Sequence, residues 1–134
     1  MITGHCECGR VQYQVDGPIH DFSHCHCSQC RRSHGAAFAS FAGVARSAFK
    51  IVSGEEEIAS YASAPGNLRK FCKTCGSNIG AELGEEPDDF FIAMGTMNGV
   101  LELPPGYHIF VGSRATWHDI LDDLPQYDTL PEVK

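Results

Sequence analysis

Three cysteines and two histidines share seven consecutive positions in HCHCSQC, His24 to Cys30. Two pairs lie on either side: Cys6 and Cys8 in CECG, and Cys72 and Cys75 in CKTCG. Cysteine at this density serves disulfides, metal ligation, a reactive thiol or plain burial. Seven cysteines cannot complete a disulfide set, and a Cys-x-Cys bridge closes a small, strained ring. Chance burial does not explain three tight groups. Metal ligation remains, and zinc is the expected ion for thiolate-rich sites in a reducing compartment.

The three groups are not equivalent. CECG and CKTCG each end in glycine, Gly9 and Gly76. Glycine takes positive φ freely, so the backbone can fold around an ion and turn its N–H groups toward the sulfurs. As matched zinc knuckles they supply Cys6, Cys8, Cys72 and Cys75, four thiolates for a closed structural site. In sequence, 63 residues intervene between Cys8 and Cys72. Such a site would tie the first strand to a late one, and its binding would be largely folding free energy, on the order of 10–16 kcal/mol. The middle group has no terminal glycine and offers three ligands, Cys25, Cys27 and Cys30. Three protein ligands with one open position is the pattern of catalytic zinc. Two alternatives stay open. Cys6 and Cys8 could join the middle group, leaving Cys72 and Cys75 idle. His24, His26 or His34 could fill the fourth position, although His26, between two ligands, is expected to point away. His5, His20, His108 and His118 read as ordinary surface or core residues.

Short alternating runs must position these groups. VQYQV puts Val11, Tyr13 and Val15 on one face of a half-buried strand. FKIVSG and IASYA follow with the same period, joined through the acidic GEEE turn, and NLRKFC leads into the last cysteine pair. NIGAEL alternates Ile79, Ala81 and Leu83, DFFIAMGTM fits a central strand, and YHIFVG reads as another. Glycine, proline, asparagine and aspartate clusters separate the runs. Two stretches read as helical, SQCRRSHG and TWHDILDDL. In the second, Trp117, Ile120, Leu121 and Leu124 fall at i, i+3, i+4 and i+7, with Thr116 placed to cap and Pro125 to stop. Trp117 is therefore expected to pack onto the sheet. The expectation is one mainly β domain over residues 1–134, with several antiparallel strands and one or two short helices.

A net charge of −7 argues against nucleic-acid binding. No apolar run approaches the roughly 18 residues of a membrane span, and MITGHCECGR has no apolar export core. A cytoplasmic location is expected, where thiols stay reduced.

The stretches GHCECGRVQYQV, CHCSQCRRSHGAAF, RKFCKTCGSNI and HIFVGSRATWHDILDDLPQYD resemble the glutathione-dependent formaldehyde-activating, or centromere-protein-V-like, family. The likeness spans residues 4 to about 128, with the three cysteine motifs in order and at matching spacing. It implies a β-tent fold of stacked antiparallel sheets. It implies two zinc ions, a structural one on Cys6, Cys8, Cys72 and Cys75 and a second on Cys25, Cys27 and Cys30. It also implies condensation of glutathione with formaldehyde, whose reverse is a carbon–sulfur lyase reaction. The partners expected are a small-molecule thiol and an aldehyde. Zinc lowers the pKa of a bound thiol, and the resulting thiolate could attack a small aldehyde. Arg31 or Arg32 would hold a substrate carboxylate, and His26 or His34 would move the proton. Thiolate ligands weaken zinc's Lewis acidity, so the competing reading is a non-catalytic thiol-binding or interaction module.

Overall fold

A computed structural model of the chain describes residues 1–131; positions 132–134 of the expected domain lie outside the described residues. Ten strands carry the architecture: β1 (Ile2–His5), β2 (Gln12–Val15), β3 (Asp21–Cys25), β4 (Ala39–Ala45), β5 (Phe49–Ser53), β6 (Ile58–Ala64), β7 (Asn67–Cys72), β8 (Asn78–Glu82), β9 (Asp89–Ala93) and β10 (Tyr107–Ile109). One α-helix, α1, spans Ser28–His34. The strands form a three-stranded sheet, β1-β2-β5, and a seven-stranded sheet, β10-β3-β4-β9-β8-β7-β6. Pairing is antiparallel throughout except between β10 and β3, which run parallel with His108 beside His24. No helix among the described residues is long and apolar enough to cross a membrane.

The main core lies between the sheets. Alternation along β2 buries Tyr13 and Val15, with Val11 just before them, and they meet Ala42 and Val44 of β4, Ile79 of β8, and Phe90 and Ile92 of β9. β4 is buried on both faces. Its even positions, Ala42 and Val44, serve the main core, while its odd positions, Ala39 and Phe41, pack against Cys25 and Cys30. A strand covered on both sides need not alternate. The acidic turn Glu55–Glu57 does join β5 to β6, but it carries the chain from the small sheet to the edge of the large one.

SQCRRSHG forms α1. Cys27 is its N-cap, Gly35 ends it in the left-handed conformation, and only Cys30 is buried. Seven residues are too few for a helix to hold alone in water. Asn78 of β8 fastens it, its side-chain amide donating to the Ser33 carbonyl at 3.1 Å.

TWHDILDDL is not helical. Trp117 is 72 % exposed and Leu121 91 % exposed while Ile120 and Leu124 are half-buried, so the four do not share one buried face. Polar bonds determine the path instead. The Asp122 carboxylate accepts the Leu124 N–H at 3.0 Å, a local turn that competes with helix. It also accepts the buried His108 Nε2–H at 3.0 and 3.1 Å. The segment then runs beside β10: His108 N–H donates to the Pro125 carbonyl at 2.8 Å and Tyr127 N–H to the His108 carbonyl at 3.0 Å. Asp122 and Asp123, in the last turn, would also have opposed the negative end of a helix.

Two outcomes follow. Native tryptophan fluorescence should peak near the wavelength of free tryptophan and shift little on unfolding, and Trp117→Ala should change stability by less than about 0.5 kcal/mol in urea titration. Asp122→Ala should cost about 1–3 kcal/mol in the same assay, because it leaves the His108 Nε2–H buried without an acceptor.

Candidate functional site

Cys6 and Cys8 lie in the connection from β1 to β2; Cys72 ends β7, and Cys75 lies in the connection from β7 to β8. The two turns bend alike. Cys6 N–H donates to the Val11 carbonyl at 3.0 Å and Cys72 N–H to the Ser77 carbonyl at 2.9 Å. Gly9 and Gly76 close the turns at φ 80° and 79°. A Cβ at either would meet nothing within 4 Å, so conformation rather than space calls for glycine. Cys6 and Cys8 sulfurs stand 3.6 Å apart, and those of Cys8 and Cys72 3.9 Å. All four lie within 4.8 Å of one another. Four sulfurs held 2.3 Å from a tetrahedral zinc would be about 3.8 Å apart, so this donor set fits such an ion. Cys75 is prepared as a thiolate. Its bond with the Ser77 hydroxyl at 3.2 Å, followed by the backbone N–H groups of Cys8 and Ser77, lowers its thiol to about 5.

The second group joins a strand end to a helix start. Cys25 ends β3, Cys27 caps α1, and Cys30 sits buried in its first turn. The Cys27 sulfur accepts the Cys30 N–H at 3.3 Å. The three sulfurs again lie within 4.8 Å of one another. Phe41, Phe91, Ile109 and Phe110 surround them. Hydrogen bonds from the Cys25 and Cys30 thiols push Cys27 far below the usual thiol range, and the bond to Cys27 pushes Cys25 upward. Cys6 and Cys8 thus meet Cys72 and Cys75 and not the middle group, and among the described residues no histidine nitrogen joins the triplet.

The histidines are engaged elsewhere. His24 Nδ1 meets the Ser40 hydroxyl at 2.7 Å, and the His34 ring stands edge-on to Phe41. His26 is 1 % exposed, and its Nε2 meets Nδ1 of equally buried His108 at 2.8 Å. The Asp122 carboxylate accepts the His108 Nε2–H, so His108 Nδ1 accepts and His26 Nε2–H donates. Burial first, and the neighbouring His108 second, hold His26 down to about 4. Neutral His26 therefore keeps a bare lone pair on Nδ1, which is buried without a partner.

Two clefts open nearby. The larger, about 590 Å³, lies between the sheets over Phe49, Ile58 and Phe90 and contains none of the cysteines or histidines. The smaller, about 350 Å³, is lined by Gln29, Arg32, Ser33, Tyr61, Ser63 and Arg69. Arg69 also donates from Nη2 to the Cys30 sulfur at 3.4 Å. Of the two arginines picked from sequence, Arg32 faces this cleft. Arg31 does not line it; it is half-buried, with Nε unpartnered. The sequence reading missed Arg69, 39 residues from Cys30. It also set aside His108 and passed over Asp122, because nothing in the spacing links either to the cysteines.

The model of the family described as "Glutathione-dependent formaldehyde-activating enzyme" matches residues 1–113. The chain belongs to this family. The match covers every cysteine, together with Arg69 and His108. A Halomonas elongata protein named "Putative glutathione-dependent formaldehyde-activating enzyme" is 25 % identical over 128 residues, 90 % of this chain and 81 % of its own. An uncharacterized lyase of Schizosaccharomyces pombe is 23 % identical over 130 residues, 97 % of this chain and 92 % of its own. A crystal structure of a Rhodobacter sphaeroides protein superposes with a TM-score of 0.64 at 29 % identity, over 73 % of this chain and 89 % of that one. Family, fold and cysteine geometry agree: the chain carries two groups of thiols able to hold metal ions, on a scaffold shared with glutathione-dependent enzymes.

The Ser77 hydroxyl is the largest influence on the Cys75 thiol. Ser77→Ala should therefore raise the Cys75 pKa, so that as pH falls the metal-loaded variant gives up the ion of this group to a competing chelator at a higher pH than wild type, read by metal release at stepped pH.

Proposed function

We propose that this chain is a zinc-dependent enzyme that joins glutathione, or a similar thiol, to formaldehyde or another small aldehyde, and that catalyses the reverse carbon–sulfur cleavage. The observation that carries the reading is the convergence of Cys25, Cys27 and Cys30 beside an arginine-lined cleft, on a chain of this family. Cys6, Cys8, Cys72 and Cys75 would hold a structural zinc. Cys25, Cys27 and Cys30 would hold a second zinc, one ligand short of a tetrahedron. When bound, that ion supplies the positive charge that lowers a substrate thiol's pKa.

The chain's own groups do the rest. Arg32 binds a carboxylate of the thiol substrate. Phe41 and Phe91 beside the triplet keep water out, which strengthens every charge interaction within. His26, neutral and with Nδ1 free of partners, moves the proton. His108 and Asp122 hold its ring as a positioning pair. In the addition, the thiol sulfur bonds to the aldehyde carbon as the carbon–oxygen π bond opens, and the thiol's proton ends on that oxygen. Cleavage retraces the same steps and releases the aldehyde.

Purified protein should contain two zinc ions per chain, one for each thiol group. Cys27→Ser should lose one and keep most of the thermal stability. Cys75→Ser should lose the other and unfold at markedly lower temperature, because structural zinc contributes on the order of 10–16 kcal/mol to folding. Wild type, but not Cys27→Ser, should accelerate exchange between free and adduct signals of glutathione and formaldehyde in NMR. Zinc-site binding of glutathione without acceleration would favour the thiol-binding module instead. No glutathione binding at millimolar concentration would overturn both.

A further inference from the structure

The cleft beside the triplet has a composition unlike the rest of the surface. The chain carries net −7, yet two guanidinium groups and no carboxylate line this space among the described residues. Its two walls come from separate elements. Gln29, Arg32 and Ser33 fall at i, i+3 and i+4 on one face of α1. Opposite stand β6 and β7, where Tyr61 pairs directly with Arg69, and Ser63 lies two residues along the same strand. The walls are fixed to each other. Asn78 of β8, which pairs with Phe71 of β7, donates to the Ser33 carbonyl at 3.1 Å and stands 3.5 Å from the Ser33 hydroxyl.

Arg69 connects the cleft to the chemistry. Its guanidinium presents five N–H donors. One reaches the Cys30 sulfur at 3.4 Å, and it makes no other hydrogen bond among the described residues. Arg32 is exposed and makes none at all among them. A planar, bidentate acceptor fits donors held this way, and carboxylate is the commonest one. The Tyr61 hydroxyl, the Ser63 hydroxyl and the Gln29 amide add neutral polar groups suited to a peptide backbone. The cleft is about 350 Å³, at the small end of ligand sites.

On the reading of the triplet as a thiol site, we infer that Arg69 and Arg32 form the subsite that selects carboxylate-bearing peptide thiols over neutral ones. Arg69 spans both regions, one edge on Cys30 and the other on the substrate's carboxylate. An anionic peptide seated there lies with its thiol beside the sulfur triplet. A neutral thiol reaches the same triplet but leaves the two arginines without partners.

The test uses full-length, cobalt-loaded protein titrated with glutathione and, separately, with its neutral-carboxyl diethyl ester. Thiolate-to-cobalt absorbance reports arrival of the thiol at the metal, and calorimetry gives the affinity. Wild type should bind glutathione at least about tenfold more tightly than the ester, the scale of one charged hydrogen bond. Arg69→Gln and Arg32→Gln should each remove most of that preference by weakening glutathione and leaving the ester unchanged, and Arg69→Lys should keep part of it. Arg32 touches no cysteine, so Arg32→Gln decides the matter even where Arg69→Gln sheds metal. If wild type binds both thiols alike, or Arg32→Gln retains the full preference, the arginine subsite is wrong while the thiol site stands. If neither thiol alters the cobalt spectrum, the thiol site itself is wrong, and the subsite with it.

Discussion

Four sulfurs drawn from two distant parts of the chain meet at one point, and a metal ion held there, as proposed, would keep this molecule in register. Hydrophobic attraction between the sheets is non-directional; it favours stacking without saying how far one sheet slides along the other. An ion shared by Cys6, Cys8, Cys72 and Cys75 would be directional, because four sulfurs within 4.8 Å of one another around one centre leave no room to slip. Cys6 and Cys72 are fully buried at the edge of the main core, so the clamp and the apolar stack are one structure. The clamp also fixes the second group of thiols. Cys72 ends the strand that carries Arg69, and Asn78, three residues past Cys75, fastens α1 and with it Cys27 and Cys30. The four-cysteine group is therefore linked through the backbone and the Asn78 hydrogen bond to the three-cysteine group.

Burying two imidazoles side by side is costly unless each polar atom finds a partner. Three of the four ring nitrogens of His26 and His108 do so, as a chain ending on a carboxylate at the surface, with Asp122 half in solvent; His26 Nδ1 alone has no partner. The arrangement holds both rings in place through the bonds they share. It also explains why a stretch with a helical apolar period adopts an irregular path: one buried nitrogen needed Asp122, and the backbone followed.

The thiol groups were legible because cysteine types and spacings act locally. A Cys-x-Cys-Gly turn makes the same bend wherever it occurs, and Cys27 and Cys30 come together through one turn of helix. β2, β7, β8 and β9 were legible for a related reason, since one covered face imposes alternation or a continuous apolar run. Other features depend on distant parts of the chain. β4, in AAFASFAGVA, is buried on both faces and made of small residues, so it has no period to read. β3 is hidden beneath the histidines and cysteines it carries. The parallel pairing of β10 with β3 leaves no mark in either segment. Trp117, Ile120, Leu121 and Leu124 gave a helical stripe, but only Ile120 and Leu124 are even partly covered, and local periodicity could not reveal that no single face takes all four. Arg69 reaches Cys30 only after β7 has been placed by the clamp, which no spacing within the sequence records.

The two edges of the seven-stranded sheet have different fates. At β10 the segment from Pro125 to Thr129 supplies carbonyls and N–H groups to a strand that would otherwise present them to solvent. A bare strand edge is a template for any other extended chain, so this segment is the molecule's protection against self-association at that end. The same residues are tied through Asp122 to the buried histidines. Loosening the imidazole chain would therefore open a sticky edge as well as disturb the site. For a protein of this design, damage around the buried imidazoles and a tendency to aggregate should arise together, from the loss of one carboxylate.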